Sequence, residues 1–137
     1  MWSVAVTLAE LYTGKILFPG KSNNQMLKLF MDYRGKVPNK LIRKSTFKDQ
    51  HFDSNFNFLY QDFDKVTEKE KTIVNTNVVA TRDLGQELSG GQKVSTEQSL
   101  KVNQLKDWLE KALALDPSKR ITPKASLLHP FIQERLA

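Results

Sequence analysis

The sequence of 137 residues contains no cysteine and only two histidines, His51 and His129. The absence of cysteine excludes a disulfide framework and a cysteine-ligated zinc site, and two histidines are too few for a histidine-rich metal site. We expect both histidines to pack or to form hydrogen bonds. No run of about 18 apolar residues occurs, as a membrane-spanning helix requires, and residues 1–4 lack the basic stretch of a signal peptide. We therefore expect an intracellular protein that does not insert into a membrane.

Acidic residues are fewer than basic ones: 15 Asp and Glu stand against 21 Lys and Arg, which gives a formal net charge of +6. The basic residues are scattered, with a mild concentration between Lys36 and Lys48. A nucleic-acid-binding surface usually gathers its basic residues on one face. Direct contact with nucleic acid is therefore not expected, although a basic RNA-associated module stays open as an alternative. The length suits one globular domain at most.

The first third of the chain has two helical patterns. Residues 2–13 are apolar nearly all round, which is typical of a helix buried on every side or of a strand. The length and Gly14, which can adopt the left-handed conformation that ends helices, favour a helix. Ser22 and Gln25 have the spacing of a capping box, and apolar residues then recur at helical intervals up to Gly35. The sequence therefore predicts two successive helices.

The composition changes over residues 47–98, which are mostly polar. Aromatic residues at alternate positions in 56–60 are typical of a half-buried strand. Residues 72–74 can pair with this strand across 68–71 as a short β-hairpin. The rest of this stretch is predicted to be loop.

The last third is predicted to be helical. Apolar residues recur along one stripe in 102–113, which indicates a long helix that begins within 95–99 and ends before Pro117. Residues 122–123, a threonine followed by proline, favour the start of a short helix, and Pro130 interrupts it. The fold class predicted from these patterns is mainly α.

Residues 88–92 (LSGGQ) match the signature of ATP-binding-cassette ATPases, and residues 14–22 nearly spell a Walker A loop. A Walker A loop separates its glycines by four residues, because that number of backbone amides wraps the phosphates. Five residues separate Gly14 from Gly20, and Pro19 removes one amide donor. The phosphate-binding loop is therefore not expected to form.

Residues 113–117 nearly spell a Walker B strand end. A metal-binding aspartate should end a buried strand, whereas residues 113–115 continue the stripe of the predicted helix. We interpret Asp116 as the cap before Pro117. Without Walker A and Walker B motifs, residues 88–92 have no nucleotide-binding site to contact. We therefore interpret their two glycines as an ordinary turn.

Four motifs in order resemble a eukaryotic protein kinase. Residues 2–6 and 10–14 look like the central buried helix, which opens with Trp-Ser and closes with Glu-Leu-x-x-Gly. Residues 115–122 are similar to the Leu-Asp-Pro-x-x-Arg motif near the end of kinase domains, and residues 129–131 to the His-Pro-Phe that follows. The usual glycine of the first motif is replaced by Ala5, which is a question of packing and leaves the resemblance intact.

The insert between these motifs resembles that of the CMGC group of serine/threonine kinases. Within it, residues 20–29, 38–44 and 47–53 look like the pre-mRNA-splicing (pre-mRNA-processing factor) kinases. The resemblance implies a partial kinase domain over 1–137 with its insert at about 36–98. The implied fold is part of the C-terminal lobe of a kinase, mainly α, with an irregular insert.

Phosphoryl transfer by kinases requires a Gly-rich phosphate cover, a strand lysine, a His-Arg-Asp loop and an Asp-Phe-Gly metal motif, and this sequence has none of them. We therefore predict no catalytic, cofactor-binding or metal-binding residue, with ATP and Mg²⁺ implied only for the parent family. The resemblance implies a portion of a kinase that phosphorylates spliceosomal proteins, with the rest of the kinase, splicing factors or substrate proteins as partners and a nuclear location. A noncatalytic docking or decoy module is the alternative.

The resemblance assigns structural roles to Trp2, Glu10, Asp116 and Arg120. Arg120 resembles the arginine that pairs with the glutamate of an Ala-Pro-Glu segment, which this sequence lacks. An unpaired buried charge costs about 3–5 kcal/mol, so Arg120 must find water or another partner. The helix over 2–13 would likewise lose the helices that cover it. We therefore expect the isolated chain to be marginally stable, prone to aggregation or dependent on a partner.

The second predicted helix and the insert that follows correspond to a docking surface in the resembled fold. Its possible docking residues are Met26, Leu29, Phe30 and Tyr33. The alternative, which we favour for each residue, is that they face the core of their own lobe.

Overall fold

A computed structural model describes residues 1–135; Leu136 and Ala137, the last positions of the predicted domain, lie outside the described residues. The chain divides into two compact units. Unit 1 contains Met1–Leu17 and the chain from Arg82 onward, and unit 2 is Phe18–Thr81. These boundaries differ from those of the predicted insert, whose extent stays a prediction.

The described chain is mainly α with one two-stranded antiparallel sheet, which confirms the predicted fold class. A single 3₁₀ turn, Lys48–Gln50, precedes the sheet. In chain order the elements are α1 (Trp2–Thr13), α2 (Asn23–Arg34), α3 (Asn39–Lys44), β1 (Phe58–Asp64), β2 (Lys69–Asn75), α4 (Leu84–Ser89), α5 (Thr96–Ala112), α6 (Pro123–Leu127) and α7 (Pro130–Gln133).

Helix α1 opens unit 1 and ends as predicted at Gly14, which adopts the left-handed conformation with φ 70°. Only Ala5 and Ala9 are buried in it, where α4 and α5 pack against the helix. The opposite side carries Val4 and Leu11, which are 50% and 76% exposed. The prediction of a helix is confirmed. The helix is not buried on every side, because the described residues cover only one side of α1.

Helices α4 and α5 supply most of the unit 1 core, with Leu88 of α4 and Leu109 of α5 buried. The interpretation of the stretch around α4 as loop was wrong. The Asp83 side chain accepts a hydrogen bond from the Gln86 N–H and caps α4, and Gly90 ends it with φ 59°. Six residues with two buried leucines are too short for a clear helical period, so packing rather than pattern defines this helix.

Helix α5 begins at the predicted region with a complete capping box between Ser95 and Gln98. It ends at Ala112, so the prediction that residues 113–115 continue the helix was wrong. The Ile121 N–H donates to the Lys111 carbonyl at 3.0 Å. This bond takes the acceptor that the next turn of α5 would need, and the chain leaves the helix there.

The two short helices at the end of unit 1 follow the predicted signals. Thr122 caps α6 by accepting a hydrogen bond from the Ala125 N–H, and Pro123 occupies the first helical position. His129 caps α7 through Nδ1, which accepts from the Phe131 N–H at 3.0 Å, and Pro130 is the first residue of that helix.

Unit 2 is built on α2, which begins after Ser22 as predicted. The Ser22 hydroxyl accepts from the Gln25 N–H at 3.2 Å. The reciprocal bond of a capping box is not formed, since Gln25 Oε1 accepts from the Lys21 N–H instead. The hydrophobic core of this unit consists of Met31 from α2 with Ile42, Phe52 and Phe58.

The predicted hairpin is present, but its turn lies earlier than expected. Residues 65–68 connect β1 to β2, because Asp64 Oδ1 accepts from the N–H groups of Val66 and Thr67 and closes the turn there. Phe56, predicted to be in the first strand, precedes it with φ 61°. A positive φ is incompatible with a strand, so the strand starts two residues later.

Candidate functional site

The arginine predicted to need a substitute partner has two within unit 1. Arg120 Nε and Nη2 donate to the Ala114 carbonyl at 3.1 and 3.0 Å. Its guanidinium carbon lies 5.2 Å from the centroid of the Trp2 ring. A cation above an aromatic face is attracted by the electron-rich ring. The structure therefore brings Trp2 and Arg120 together, 118 positions apart in the sequence.

Glu10 anchors the segment that follows α1. Its Oε1 accepts from the Leu17 N–H at 3.1 Å. The Leu17 carbonyl in turn accepts from Arg82 Nη1 at 3.1 Å. The backbone N–H and C=O of this buried leucine are thus each hydrogen-bonded to a charged side chain. Glu10 therefore has a structural role here, because its carboxylate accepts from a backbone donor.

Arg82 also forms a two-point ion pair with Glu87, with Nε–Oε1 and Nη2–Oε2 distances of 2.8 and 3.1 Å. Burial raises the pKa of Glu87, and the charge of Lys15 partly opposes that shift. The pair lies in the wall of a cavity of about 470 Å³ within unit 1, formed by the end of α1, the following segment and α4. Sequence reasoning missed this pair, because a separation of five positions across a helix start gives no periodic signal.

Asp116 caps a turn and not a helix. Its Oδ1 accepts from the Ser118 N–H at 2.9 Å and from the Ser118 hydroxyl at 2.7 Å. The Lys119 N–H donates to the Asp116 carbonyl and closes the turn at 3.0 Å. The residue is thus used by the backbone around it, as aspartates at the start of turns commonly are.

The four possible docking residues all lie on α2, where three are half-buried and Tyr33 is 8% exposed. Phe18 packs edge-on against Phe30 and Tyr33, with centroid distances of 4.8 and 5.7 Å. Met26 lies against Gly20, where an added Cβ would stand 2.7 Å from the Met26 sulfur. These three residues contribute to packing inside unit 2, and Leu29 is half-buried.

A polar hub in unit 2 was not predicted from the residue pattern. Asn24 is 1% exposed, and its Nδ2 donates to the Leu59 carbonyl at 2.9 Å and lies 3.0 Å from His51 Nδ1. Its Oδ1 accepts from the Gln61 N–H at 2.8 Å. Because Nδ2 can only donate, His51 Nδ1 must accept in this arrangement. Burial lowers the pKa of His51, which favours the neutral ring.

A second hub lies in unit 1, where Asp107 Oδ2 is 2.6 Å from both Lys111 Nζ and His129 Nε2. Hydrogen bonds from Lys111 and from His129 lower the pKa of Asp107. Since His129 Nδ1 accepts from a backbone N–H, its Nε2 carries the proton that Asp107 receives. The hub fixes α7 on α5 and gives His129 the structural role expected of it.

Two of the amides that a phosphate loop would use are already engaged in unit 2. The Gly20 N–H donates to the Phe18 carbonyl at 2.9 Å, and the Lys21 N–H donates to Gln25.

Among residues 1–135, no three acidic or histidine side chains gather as a metal site would require. No helix in the same range has the length and apolar character needed to span a membrane. The predicted lack of catalytic and cofactor-binding residues stays a prediction.

Comparison with known proteins identifies the relatives of the chain. It is 42% identical over 130 residues to serine/threonine-protein kinase prp4 of Schizosaccharomyces pombe, which covers 95% of this chain and 27% of that kinase. It is 42% identical over 134 residues to serine/threonine-protein kinase prpf4B of Dictyostelium discoideum, covering 97% of this chain and 16% of the relative. No family model matches.

A more distant relative is dual specificity tyrosine-phosphorylation-regulated kinase 2 of Drosophila melanogaster, 31% identical over 134 residues, 97% of this chain and 16% of the kinase. The chain thus spans between about a sixth and about a quarter of the length of these three relatives. The kinase resemblance inferred from its motifs is confirmed. Over nearly its whole length, the chain is homologous to one portion of CMGC-type serine/threonine protein kinases of the Prp4-like and DYRK kind.

Proposed function

We propose that this chain forms one portion of the C-terminal lobe of a splicing-type serine/threonine kinase and does not transfer phosphate by itself. Homology over 95% of the chain supports the first part. The absence of the four kinase motifs from its sequence supports the second. By resemblance, the whole kinase acts in the nucleus on spliceosomal proteins, with ATP and Mg²⁺ held by residues outside this sequence.

The observation that carries the proposal is the apolar stripe of α1, formed by Val4, Leu8 and Leu11. These positions are spaced four and three residues apart and therefore share one face of the helix. Val4 is 50% exposed and Leu11 is 76% exposed, although burial of such a side chain stabilises a protein by about 1.5–3 kcal/mol. A helix that is apolar all round is normally enclosed by protein. The rest of the kinase is the occupant that we propose for this stripe.

Arg120 supports the same assignment. In this chain its guanidinium meets one carbonyl and the Trp2 ring, both of which are uncharged partners. A carboxylate can accept two parallel hydrogen bonds from a guanidinium and also balances its charge, which a carbonyl and an aromatic ring do not. We propose that the glutamate of the Ala-Pro-Glu segment, implied by the kinase resemblance, pairs with Arg120 in the whole kinase.

The first test is a calorimetric titration of the purified chain with MgATP. We expect no saturable heat up to about 1 mM nucleotide, the upper end of typical substrate affinities for enzymes. Saturable binding at one site, or phosphorylation of a protein target by the purified chain, would contradict the proposal.

A second test addresses the α1 stripe directly with Leu11→Lys. We expect this variant to bind less of a hydrophobic dye and to remain soluble at a higher concentration than the unmodified chain, since it removes apolar surface that is uncovered. The matched control is Val66→Lys, at the hairpin turn, because Val66 is 92% exposed and lies outside the stripe. An equal effect of both substitutions would mean that exposed apolar area in general, and not a face built for a partner, causes the association.

A further inference from the structure

The outer edge of β1 is closed by residues of unit 2. The Leu59 N–H donates to the His51 carbonyl at 2.8 Å. The Leu59 carbonyl accepts from Asn24 Nδ2, and the Gln61 N–H donates to Asn24 Oδ1. A side-chain amide presents one donor and one acceptor, so Asn24 satisfies this edge as a neighbouring strand would.

The same bonds reveal which groups of β2 point outward. Leu59 and Gln61 direct their backbone groups away from β2, and they stand opposite Val74 and Thr72 in the register. In an antiparallel pair, residues directly opposite each other are either both hydrogen-bonded across the pair or both turned away. The N–H and C=O groups of Thr72 and Val74 therefore point away from β1.

The outer edge of β2 is open in the described chain. All seven of its residues are exposed, and within residues 1–135 the sheet consists of β1 and β2 alone. Residues 68–71 alternate in charge, which discourages pairing with another strand. The next three residues lack that protection, and Ile73 and Val74 are 40% and 52% exposed. The unprotected part of the edge is thus Thr72–Val74.

We propose that this edge pairs with the same edge of a second copy of the chain, antiparallel and centred on Ile73. In this register Ile73 faces Ile73 of the second copy, and Thr72 faces Val74. Lys71 faces Asn75, so no like charges stand directly opposite. The outward backbone groups of Thr72 and Val74 then bond in two symmetric pairs, and a continuous four-stranded sheet forms.

Neighbouring registers fit less well. Pairing centred on Lys71 would place two lysines directly opposite each other, which is destabilising. Pairing centred on Thr72 would place Lys71 against Ile73 and leave the apolar side chains unmatched. The register centred on Ile73 places Ile73 against Ile73 with no like charges directly opposite, and this self-complementarity favours a second copy as the occupant.

The lack of cysteine makes the register directly testable by disulfide trapping of Ile73→Cys. Directly opposite residues in a non-hydrogen-bonded pair have Cβ atoms about 4.5–5.5 Å apart, close to the separation a disulfide needs. In the matched control Lys71→Cys, the two cysteines lie four residues out of register, about 13 Å apart. At about 100 µM chain, suited to a small and weak interface, we expect Ile73→Cys to crosslink at least about tenfold faster. Equal rates would overturn the proposal.

A proline at position 72 tests whether backbone pairing drives the trapping. The Thr72 N–H points away from β1, so Thr72→Pro removes a donor of the edge while the hairpin keeps its own ladder. We expect Thr72→Pro combined with Ile73→Cys to crosslink at the slow rate of Lys71→Cys, with an unchanged circular dichroism spectrum. Fast crosslinking in the combined variant would overturn the proposal.

Sedimentation of chains without an introduced cysteine distinguishes dimerisation through β2 from association through α1. In the Leu11→Lys background, we expect a concentration-dependent dimer that Thr72→Pro weakens by about tenfold, because two backbone hydrogen bonds are lost by symmetry. A chain that stays monomeric in this background, or a sheet edge that binds an unrelated extended peptide without dimerising, would overturn the proposal.

Discussion

Helices α1 and α2 have the same length of 12 residues but differ in what stabilises them. Helix α2 has a serine cap, an arginine in its last turn and two large buried side chains, Met31 and Tyr33. Helix α1 has no side-chain cap bond, no acidic residue in its first turn and no basic residue in its last. It buries only two alanines, Ala5 and Ala9.

The difference separates a helix specified by its own sequence from one that depends on its surroundings. Signals at both ends of α2 satisfy backbone groups that would otherwise need water. In α1 the side-chain cap at the first turn is missing, although Gly14 closes the last turn, and an isolated helix of 12 residues is marginal in water. Helix α1 therefore relies on packing, which in this chain comes from one side only.

The largest contrast is expected between truncations of the two apolar faces. Met31→Ala removes a side chain that is 1% exposed and should lower the free energy of unfolding by about 2–5 kcal/mol. Leu11→Ala removes one that is 76% exposed and should change it by less than about 0.5 kcal/mol. Urea unfolding monitored by circular dichroism measures both. A large loss from Leu11→Ala would show that α1 has a partner within the chain or in a second copy.

Asn24→Ala tests the polar hub at the start of α2. It leaves the Leu59 carbonyl and the Gln61 N–H, which are partly buried, without their partner, and a fully buried unsatisfied group costs about 1–3 kcal/mol. We expect a loss of about 2–4 kcal/mol in the same unfolding experiment. The control Asn23→Ala changes the same residue type one position earlier, where the side chain is exposed, and should be nearly neutral. Similar losses for both variants would argue that the hub contributes little.

The sequence predicted the elements that carry local signals. Both α2 and α5 begin at serine caps, and α6 begins at a threonine followed by proline. The starts of α2 and α6 could therefore be located from residue types alone, and that of α5 to within residues 95–99. Helices α3 and α4 have six residues each, fewer than two full turns, and their patterns could not be told from loop. Their positions depend on which leucines or isoleucines reach a core, and this is decided by tertiary packing.

The candidate site was less accessible to sequence reasoning than the fold. The kinase resemblance marked Trp2 and Arg120, and the structure places them in contact, but neither periodicity nor spacing relates two residues so far apart. Asn24 looked like a polar residue in the first turn of an amphipathic helix. Its role follows from the backbone of β1, whose unpaired edge it meets, so only the tertiary structure could identify it.

A smaller effect is expected from the cap of α2. Ser22→Ala removes the hydroxyl that accepts from the Gln25 N–H and should cost about 1 kcal/mol. Ser3→Ala, in the first turn of α1, removes no cap bond and should change the free energy of unfolding by less than about 0.5 kcal/mol. Thermal and urea unfolding of the two variants measure the difference. Equal losses would contradict the distinction between the two helices.

The smallest effect concerns pH and the hub of α2. Burial holds the pKa of His51 below its ordinary value of 6.5, so the unfolded chain takes up the proton first as the pH falls. The unfolded state then binds more protons, and the free energy of unfolding decreases as the pH falls from 6.5 towards the folded pKa. Protonation also turns Nδ1 from an acceptor into a donor that faces the Asn24 amide. Urea unfolding at about pH 7.5 and about pH 5.5 should show this loss in the natural chain and a smaller one in His51→Gln, whose amide oxygen can still accept but does not titrate. The same pH dependence in both chains would assign the titration to another group and leave His51 as a neutral packing residue.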